Sequence, residues 1–321
     1  MKSVQCNAFG PLADLVVADV AEPVPTGRQV VIKVEAAGVN YPDGLLVQGL
    51  YQMRPELPFT PGMEAAGEVI ALGPDVRNVK VGDRVGAVLQ LGGYAEQTLA
   101  DERATFPIGD ADAAETCALL VAYGTSHHAL KQRAALQAGE TLVVLGGAGA
   151  TGLAAIQIGK IMGATVIAVC SSAEKQQIAR DAGADHVIGY DALKEDIKRL
   201  TDGKGADVVF DVVGGVAFDT CCRAMARNGR LLIIGFASGE IPKFPVNLAL
   251  VKEFALVGVF WGNFTRAEPA VYADNMQELM GWYRSGQIEP LIEGRYPLAE
   301  AAQVLERILN RGAVGKLVLA P

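Results

Sequence analysis

The segment Thr141–Gly152 constrains the fold of this chain more than any other. Five residues typical of a buried strand, Thr141–Leu145, run directly into glycines at positions 146, 149 and 152, and Leu153–Met162 then has the composition of a helix. Glycine permits a sharp turn, leaves room for a phosphate beside the backbone and lets the helix lie close to the strand. The segment therefore predicts a strand, a phosphate-binding turn and a helix whose first N–H groups and dipole face an anion.

A second strand supports this interpretation. Residues Ala164–Val169 are apolar, and they follow the glycines at the spacing of a βαβ unit. The alternative is an ordinary turn between strand and helix in a flavodoxin-like sheet, but the combined pattern favours a dinucleotide site. The residues of the turn that we predict to bind the cofactor are Gly146, Ala148, Gly149, Ala150, Thr151 and Gly152.

The hydrophobic pattern divides the chain into two parts, as a length of 321 residues also suggests. Up to about residue 120, short apolar runs are separated by Pro- and Gly-rich turns, which is typical of a small β-barrel. From about residue 121 onward, apolar strands alternate with helices, and this predicts an α/β fold with a doubly wound parallel sheet. The strands predicted after the glycines are Ala164–Val169, His186–Ile188, Asp207–Val212, Arg230–Ile234 and Phe254–Val259.

Composition narrows the possible partners and the compartment. The net charge of −8 argues against a general nucleic-acid surface, which requires clustered Lys and Arg. No apolar run approaches the ~18–20 residues of a membrane span, and the first residues lack the apolar core of a secretory signal. Five cysteines without a regular spacing fit ordinary thiols in a reducing cytoplasm.

Several motifs together resemble one family over nearly the whole chain. They are Ala36–Asp43, Pro61–Gly67, Val81–Val85, Gly146–Gly152 and Gly258–Gly262. Their order and separations resemble the medium-chain dehydrogenase/reductase superfamily, in its zinc-independent, zeta-crystallin-like quinone oxidoreductase branch. The resemblance implies a GroES-like domain at residues 1–120, a Rossmann domain that binds NADPH at 121–262, and a segment, 263–321, that returns to the first domain.

Departures from the wider superfamily predict that no metal is used. Zinc alcohol dehydrogenases have His at the position of Met63, whose thioether is a poor zinc ligand. No Cys-x-x-Cys spacing occurs, so the cysteine cluster of a structural zinc is missing. The adjacent residues His127 and His128 cannot face one point on a helix, and we interpret them as surface or helix-packing residues.

The reaction implied by the resemblance transfers a hydride and leaves negative charge on a carbonyl oxygen of the substrate. Without zinc, hydrogen-bond donors must stabilise that charge. Asn40 offers an amide N–H, and Tyr51 and Tyr41 offer phenol O–H groups that remain protonated at neutral pH. By resemblance, Tyr51 matches the active-site tyrosine of this branch; the alternative is a loop aromatic that packs on Leu57 or Phe59. Tyr41 is equally compatible with packing.

Further residues are predicted to contact the cofactor by resemblance or by their position after a strand. Thr125 matches a family position near the cofactor but also suits a helix cap. Residues at the carboxyl ends of strands lie where ligands of open α/β sheets bind. Lys316 matches a family contact, with a solvated lysine as the alternative. These additional residues are Thr125, Gly235, Phe236, Phe260, Trp261, Gly262 and Lys316.

The end of the second Rossmann strand predicts NADPH rather than NADH. An NAD site places Asp or Glu there, whereas this strand ends in Cys170-Ser171-Ser172. Ser171, Ser172, Lys175 and, after the next strand, Tyr190 are predicted to hold the 2′-phosphate. The alternative for Ser171–Glu174 is a capping box, which would turn Glu174 back towards the helix start.

The resulting hypothesis is an NADPH-dependent reductase of quinones or related enones. Two alternatives remain: a 2-enoyl thioester reductase, and a non-catalytic NADPH-binding protein of the crystallin type. Residues Phe254–Val259 form an apolar strand late in the sheet, and an exposed apolar edge tends to pair with another chain. We therefore expect a homodimer, with a two-fold interface as in the family.

Overall fold

The computed structural model describes residues 1–321 and contains two compact units. The first unit consists of Met1–Val121 and Leu291–Pro321, and the second unit is Ala122–Pro290. The predicted boundaries follow residues 120 and 262, whereas the two compact units divide after Val121 and Pro290. Residues 263–290 belong to the second unit.

Fifteen strands and eleven α-helices form the two units. The strands are β1 (Lys2–Gln5), β2 (Val16–Asp19), β3 (Gln29–Val39), β4 (Glu64–Leu72), β5 (Arg84–Val88), β6 (Gln97–Asp101), β7 (Thr105–Pro107), β8 (Thr141–Leu145), β9 (Thr165–Val169), β10 (His186–Ile188), β11 (Ala206–Asp211), β12 (Met225–Ile233), β13 (Ala255–Gly258), β14 (Ile292–Pro297) and β15 (Lys316–Ala320). The helices are α1 (Tyr41–Val47), α2 (Ala113–Ala118), α3 (Gly124–His128), α4 (Ala150–Ile161), α5 (Ala173–Asp181), α6 (Leu193–Leu200), α7 (Gly215–Ala224), α8 (Asn247–Lys252), α9 (Trp261–Ala267), α10 (Pro269–Arg284) and α11 (Ala301–Leu309).

The second unit contains the predicted parallel sheet. Its six strands lie in the order β10-β9-β8-β11-β12-β13, and every neighbouring pair is parallel. The central strands are buried on both faces, as the continuous apolar runs in their sequences require. The order reverses at β8, so the glycine turn that follows this strand lies at the switch point where ligands of such sheets bind.

Helices α9 and α10 pack within the second unit, which explains the later boundary. The His128 ring stacks on Phe264 of α9 with 3.8 Å between ring centroids, and His127 Nε2 lies 2.7 Å from Glu278 Oε2 of α10. Both histidines are buried, so the helix-packing interpretation is confirmed over the surface one. Burial lowers the pKa of His127 to about 4, against the opposing effect of Glu278.

The first unit is built on a mixed sheet of seven strands. Six of them lie in the order β14-β15-β3-β4-β5-β7, and β6 pairs with β3. The long strand β3 is therefore central, and its buried residues pack with those of β4, β5, β15 and α11 in one apolar core. A separate pair, β1 with β2, is antiparallel. None of the helices is both long and apolar enough to cross a membrane.

Candidate cofactor and catalytic sites

The fold makes different demands on the three glycines at positions 146, 149 and 152 of the turn after β8. Gly146 has φ +68°, a conformation that side chains disfavour. A Cβ on Gly152 would collide with the Gly146 carbonyl oxygen, so only glycine allows α4 to start this close to the strand end. A Cβ on Gly149 would meet only the same oxygen, at 3.6 Å, an ordinary contact. The fold itself therefore requires Gly146 and Gly152, but tolerates a methyl group at position 149.

The N-terminus of α4 differs from those of α2 and α5. In α2, Asp112 Oδ1 accepts from the N–H groups of Ala114 and Glu115 at 2.9 and 3.1 Å. Helix α4 instead begins after Gly149, which has no side chain to cap it, and no other side chain caps this position. Since the first N–H groups of a helix have no intrahelical acceptor, those of Ala150–Gly152 suit an anionic ligand.

Tyr190, which follows β10, reaches the glycine turn. Its phenol oxygen accepts from the Gly146 N–H at 3.1 Å. Burial raises the pKa of this phenol to about 12, so it keeps its proton at neutral pH. The hydroxyl therefore fixes the turn while it retains a proton that it can donate to a ligand.

The end of β9 carries the residues predicted to select the cofactor. Ser171 and Ser172 are exposed, and Lys175 is half-buried. Ser172 Oγ accepts from the Lys175 backbone N–H at 3.2 Å, so Ser172 is the N-cap of α5. The capping box predicted from Ser171 to Glu174 is therefore wrong by one position, because the helix starts at Ala173 and its third residue is Lys175 rather than Glu174.

The other predicted cofactor residues of the second unit occupy different environments. Thr125 is the second residue of α3 and is half-buried, not at the N-cap. The Phe236 ring after Gly235 lies against Gly214, where an added Cβ would come within 3.0 Å of it. Trp261 is buried, and its indole packs edge-on against Tyr272, with 5.8 Å between ring centroids.

The neighbours of Trp261 in sequence, Phe260 and Gly262, differ from it. Phe260 is 58% exposed, and a Cβ on Gly262 would meet only the Phe260 ring, at 3.9 Å. Of the three residues, Phe260 is thus the one whose ring is available to a ligand.

A buried polar network links distant parts of the first unit. It consists of Asn40, Asp43, Glu64, Tyr94 and Lys316, and we refer to it as the polar network. Lys316 Nζ forms an ion pair with Glu64 Oε1 and donates to Asn40 Oδ1 at 2.7 Å. Asn40 Nδ2 in turn donates to Glu64 Oε1 at 2.9 Å. Lys316 is only 2% exposed, so the alternative of a solvated lysine is wrong.

Asp43 forms the second half of the polar network. Its Oδ2 accepts from the Asn40 backbone N–H and from the Tyr94 hydroxyl, each at 2.8 Å. This carboxyl therefore makes structural hydrogen bonds at the start of α1. Its Oδ1 is buried without a hydrogen-bond partner, and burial raises the pKa of Asp43 to about 7. A proton on Oδ1 is compatible with both hydrogen bonds at Oδ2.

The two tyrosines predicted to act on the substrate lie beside the polar network in sequence. Tyr41 is the first residue of α1 and is half-buried. Tyr51 is also half-buried and follows Leu50, which is exposed. Phe59, one of the packing partners considered for Tyr51, lies against Phe9 with 6.1 Å between ring centroids.

Sequence reasoning did not assign a role to Glu64 or Tyr94. Both are fully buried, and each bonds a residue from the segment that contains Asn40. For Glu64 a signal existed, because a carboxylate followed by Ala65-Ala66-Gly67 in a buried strand requires a partner. No group of three or more His, Cys, Asp or Glu side chains is arranged to hold a metal ion.

Comparison with known protein families accounts for both units. Residues 26–110 match the alcohol dehydrogenase GroES-like domain, and residues 150–279 match the domain family described as zinc-binding dehydrogenase. A quinone oxidoreductase-like protein 2 homolog from Nematostella vectensis is 37% identical over 99% of this chain and 88% of its own length. Human quinone oxidoreductase is 32% identical over 99% of this chain and 97% of its own length.

Solved structures agree with these relatives. A mycobacterial protein solved in complex with NADPH has a TM-score of 0.94 and 32% identity, with both chains covered completely. Escherichia coli quinone oxidoreductase, also complexed with NADPH, has a TM-score of 0.92 and 26% identity over the full length of both chains. The chain belongs to the medium-chain dehydrogenase/reductase superfamily, in its quinone oxidoreductase branch. The predicted GroES-like and Rossmann fold classes are confirmed.

Proposed function

We propose that this protein is a zinc-independent reductase that uses NADPH to reduce a quinone or a related α,β-unsaturated carbonyl compound. The observation that carries the proposal is the start of α4, where the glycine turn leaves the helix without a side-chain cap. The NADPH complexes of the mycobacterial and E. coli relatives support the same cofactor. Met63, whose thioether is a poor zinc ligand, stands where zinc alcohol dehydrogenases have His, and this supports a reaction assisted by hydrogen-bond donors.

The residues of the second unit fit a dinucleotide. The N–H groups of Ala150–Gly152 would hold the pyrophosphate, since the helix dipole favours negative charge there. Ser171, Ser172, Lys175 and Tyr190 would hold the 2′-phosphate. Bound NADPH supplies the hydride for the reaction. Along the rest of the sheet we assign contacts with the cofactor to the predicted residues Ala148, Thr125, Gly235, Phe236, Phe260, Trp261 and Gly262. Lys316 was also predicted to contact the cofactor, but its ammonium is buried on Glu64 and Asn40, and we assign it to the polar network instead.

The residues of the first unit supply hydrogen-bond donors for the substrate. We assign this role to Tyr51, Tyr41 and Asn40. A phenol donates its O–H to the carbonyl oxygen as negative charge develops there, and it can pass its proton to the product. The amide of Asn40 adds an N–H that does not titrate, so its contribution does not depend on pH.

A panel of acceptors tests the proposal. Purified protein is mixed with NADPH and, separately, a quinone, an enone and an enoyl thioester, and the loss of NADPH is followed by absorbance. We expect turnover with the quinone or the enone. A clear preference for the enoyl thioester would identify the alternative reductase, and binding of NADPH without turnover of any acceptor would refute the enzymatic proposal.

Gly149→Ala tests the cofactor site separately from catalysis. Its methyl group would make only ordinary contacts within the protein, so thermal stability should be unchanged, but it would fill space beside the pyrophosphate. We expect weaker NADPH binding in a fluorescence titration. Gly281→Ala, where an added Cβ meets nothing within 4 Å, is the matched control. Equal NADPH affinity in both variants would place the cofactor elsewhere.

We also propose a homodimer and a reducing compartment. Strand β13 is the edge of the six-stranded sheet and pairs only with β12. A free apolar edge of this kind is commonly covered by a second copy about a two-fold axis. A monomer mass in light scattering would refute the dimer.

All five cysteines are buried and free, which supports the cytoplasm as the location.

A further inference from the structure

We propose that Glu64 and Lys316 are positioning residues that hold the amide of Asn40 in one orientation, with a single N–H directed away from the charged pair. This inference rests on the proposed function, in which Asn40 donates to the substrate. It assigns a role to two charged residues that are distant from each other in sequence, at the start of β4 and the start of β15.

The two ends of the Asn40 amide have opposite partners. The ammonium of Lys316 donates to Oδ1 at 2.7 Å, and the carboxylate of Glu64 accepts from Nδ2 at 2.9 Å. In the flipped amide, Nδ2 would face the ammonium and Oδ1 would face the carboxylate. Both contacts would then be repulsive, and both lie in a buried site where water does not screen them.

This arrangement determines which N–H the amide can offer. One N–H of Nδ2 is used by Glu64. The other is directed at the Gly38 carbonyl oxygen, at a distance of 3.5 Å, which is longer than a strong hydrogen bond. The second N–H is therefore the donor that a substrate oxygen can take without breaking the contacts to Glu64 and Lys316.

Glu64 is itself held in place by other groups. Its second carboxylate oxygen, Oε2, accepts from the backbone N–H of Val121 at 2.9 Å. A Cβ on Gly38 would overlap the Glu64 carboxylate, so glycine at this position is needed for the carboxylate to reach Asn40. Three segments of the first unit thus fix the carboxylate, and the carboxylate with Lys316 fixes the amide.

A double variant separates positioning from stability. Glu64→Gln or Lys316→Met alone leaves one buried charge uncompensated, and we expect each to lower the melting temperature. The combination Glu64→Gln/Lys316→Met removes both charges with little change in volume, so most of the stability should return. Without the charges, the two amide orientations of Asn40 differ little in energy. We expect kcat to fall roughly tenfold or more, with the Kd for NADPH nearly unchanged.

The matched control is Glu140→Gln/Arg230→Met in the second unit. This pair forms two hydrogen bonds of 2.7 Å and contacts none of the residues proposed to act on the substrate. We expect it to leave kcat unchanged. Recovery of wild-type kcat in the Glu64/Lys316 double variant would overturn the positioning role, and a loss confined to NADPH affinity would instead make Lys316 a cofactor contact.

A background variant keeps the proposal testable by a second route. In Asn40→Ala, the Glu64→Gln/Lys316→Met changes should cost no further kcat, because they act through the missing amide. A full additional loss in that background would overturn the proposal.

If the double variant does not fold, the single variant Lys316→Arg provides the test, because it keeps the charge but alters the geometry of the donor. Slower turnover at an unchanged Kd for NADPH would support the positioning role. Unchanged turnover would overturn it. If wild-type protein reduces no acceptor, the proposed function fails first and this inference with it.

Discussion

The glycine turn of the second unit and the polar network of the first unit are built from different chemical groups. The turn consists of backbone groups and small residues that are adjacent in sequence. The polar network consists of long side chains from positions as far apart as 40 and 316, all of them buried. The first backbone N–H groups of α4 have no side-chain cap and therefore suit an anion, whereas most polar groups of the network bond one another.

This difference predicts different responses to mutation. A backbone site tolerates changes in neighbouring side chains but not changes at its glycines. A buried network of charges tolerates the replacement of a pair but not the loss of one member, because the remaining charge is then uncompensated. If the two sites are as distinct as their construction indicates, variants of each should lose stability or ligand affinity in different ways.

Gly38→Ala should damage the polar network without any change to its side chains. The added methyl group would displace the Glu64 carboxylate from Lys316. Separation of a buried ion pair costs about 3–5 kcal/mol, and we expect a loss of this size in the free energy of unfolding, measured with urea. The control is Gly10→Ala, where an added Cβ meets only Asp14 Oδ2, at 3.9 Å. Equal stability of the two variants would show that the carboxylate can move without cost.

The network should also make stability depend on pH. The pKa of Asp43 is raised by burial from 3.8 to about 7, despite the nearby Lys316 and the hydrogen bond from Tyr94. Between these two values the unfolded chain loses this proton while the folded protein keeps it. The contribution of Asp43 to stability is therefore fully present below about pH 4 and is lost as the pH rises to about 7, by up to about 4 kcal/mol.

Asp43→Asn provides the measurement. The variant keeps an acceptor for Tyr94 and for the Asn40 N–H but has no proton to lose. The difference in unfolding free energy between wild type and variant should therefore change across this pH window and become constant above it. A constant difference between about pH 4 and pH 7 would mean that Asp43 is already ionised in the folded protein across this window.

Local patterns in the sequence revealed the turn, and this explains what could be predicted. A strand, three glycines and a helix are contiguous, and the alternation of strands and helices predicts a parallel sheet. The polar network could not be predicted in the same way. Hydrophobic periodicity shows that β4 and β15 are buried, but it does not show that Glu64 on one meets Lys316 on the other.

The later domain boundary has a similar cause. Helix α10 buries an apolar face that includes Met276 and Leu279, but the sequence does not show which unit this face packs against. Glu278 of α10 bonds His127 and Lys131, which places the helix in the second unit. These contacts join residues far apart in sequence, so they could be found only from the structure. The predicted position of the N-cap of α5 was wrong by one residue, because the adjacent residues Ser171 and Ser172 are chemically equivalent as N-caps.

Tyr51→Phe tests whether the first unit also contributes a donor outside the buried network. Loss of one donor to a developing oxyanion costs about 2.7–4 kcal/mol in other enzymes. Tyr51 is only half-buried, so solvent can partly replace its hydroxyl, and we expect a smaller loss, about 10- to 100-fold in kcat. NADPH affinity should change less. Tyr296→Phe, which removes a hydroxyl that accepts from Arg307, is the control. Unchanged turnover in Tyr51→Phe would make Tyr51 a packing residue.

The smallest predicted effect concerns cofactor choice in the second unit. We expect NADPH to bind at least about tenfold more tightly than NADH, because a charge-assisted contact contributes about 1.5–3 kcal/mol and each 1.4 kcal/mol is a factor of ten. Lys175→Ala should remove most of this difference. The cap of α5 survives the change, because Ser172 Oγ accepts from the backbone N–H of residue 175 and not from its side chain.

Fluorescence titration of both cofactors distinguishes a charge effect from a loss of helix structure. Arg180→Ala removes an equal charge from the last turn of the same helix and should leave the preference intact. If Lys175 holds the 2′-phosphate, its loss weakens NADPH alone, whereas damage to the glycine turn, as in Gly149→Ala, weakens NADPH and NADH together because both share the pyrophosphate. Equal affinities in the wild type, or a preference for NADH, would mean that the exposed serines at the end of β9 hold a ribose hydroxyl. The selectivity of the backbone site would then come from elsewhere in the second unit.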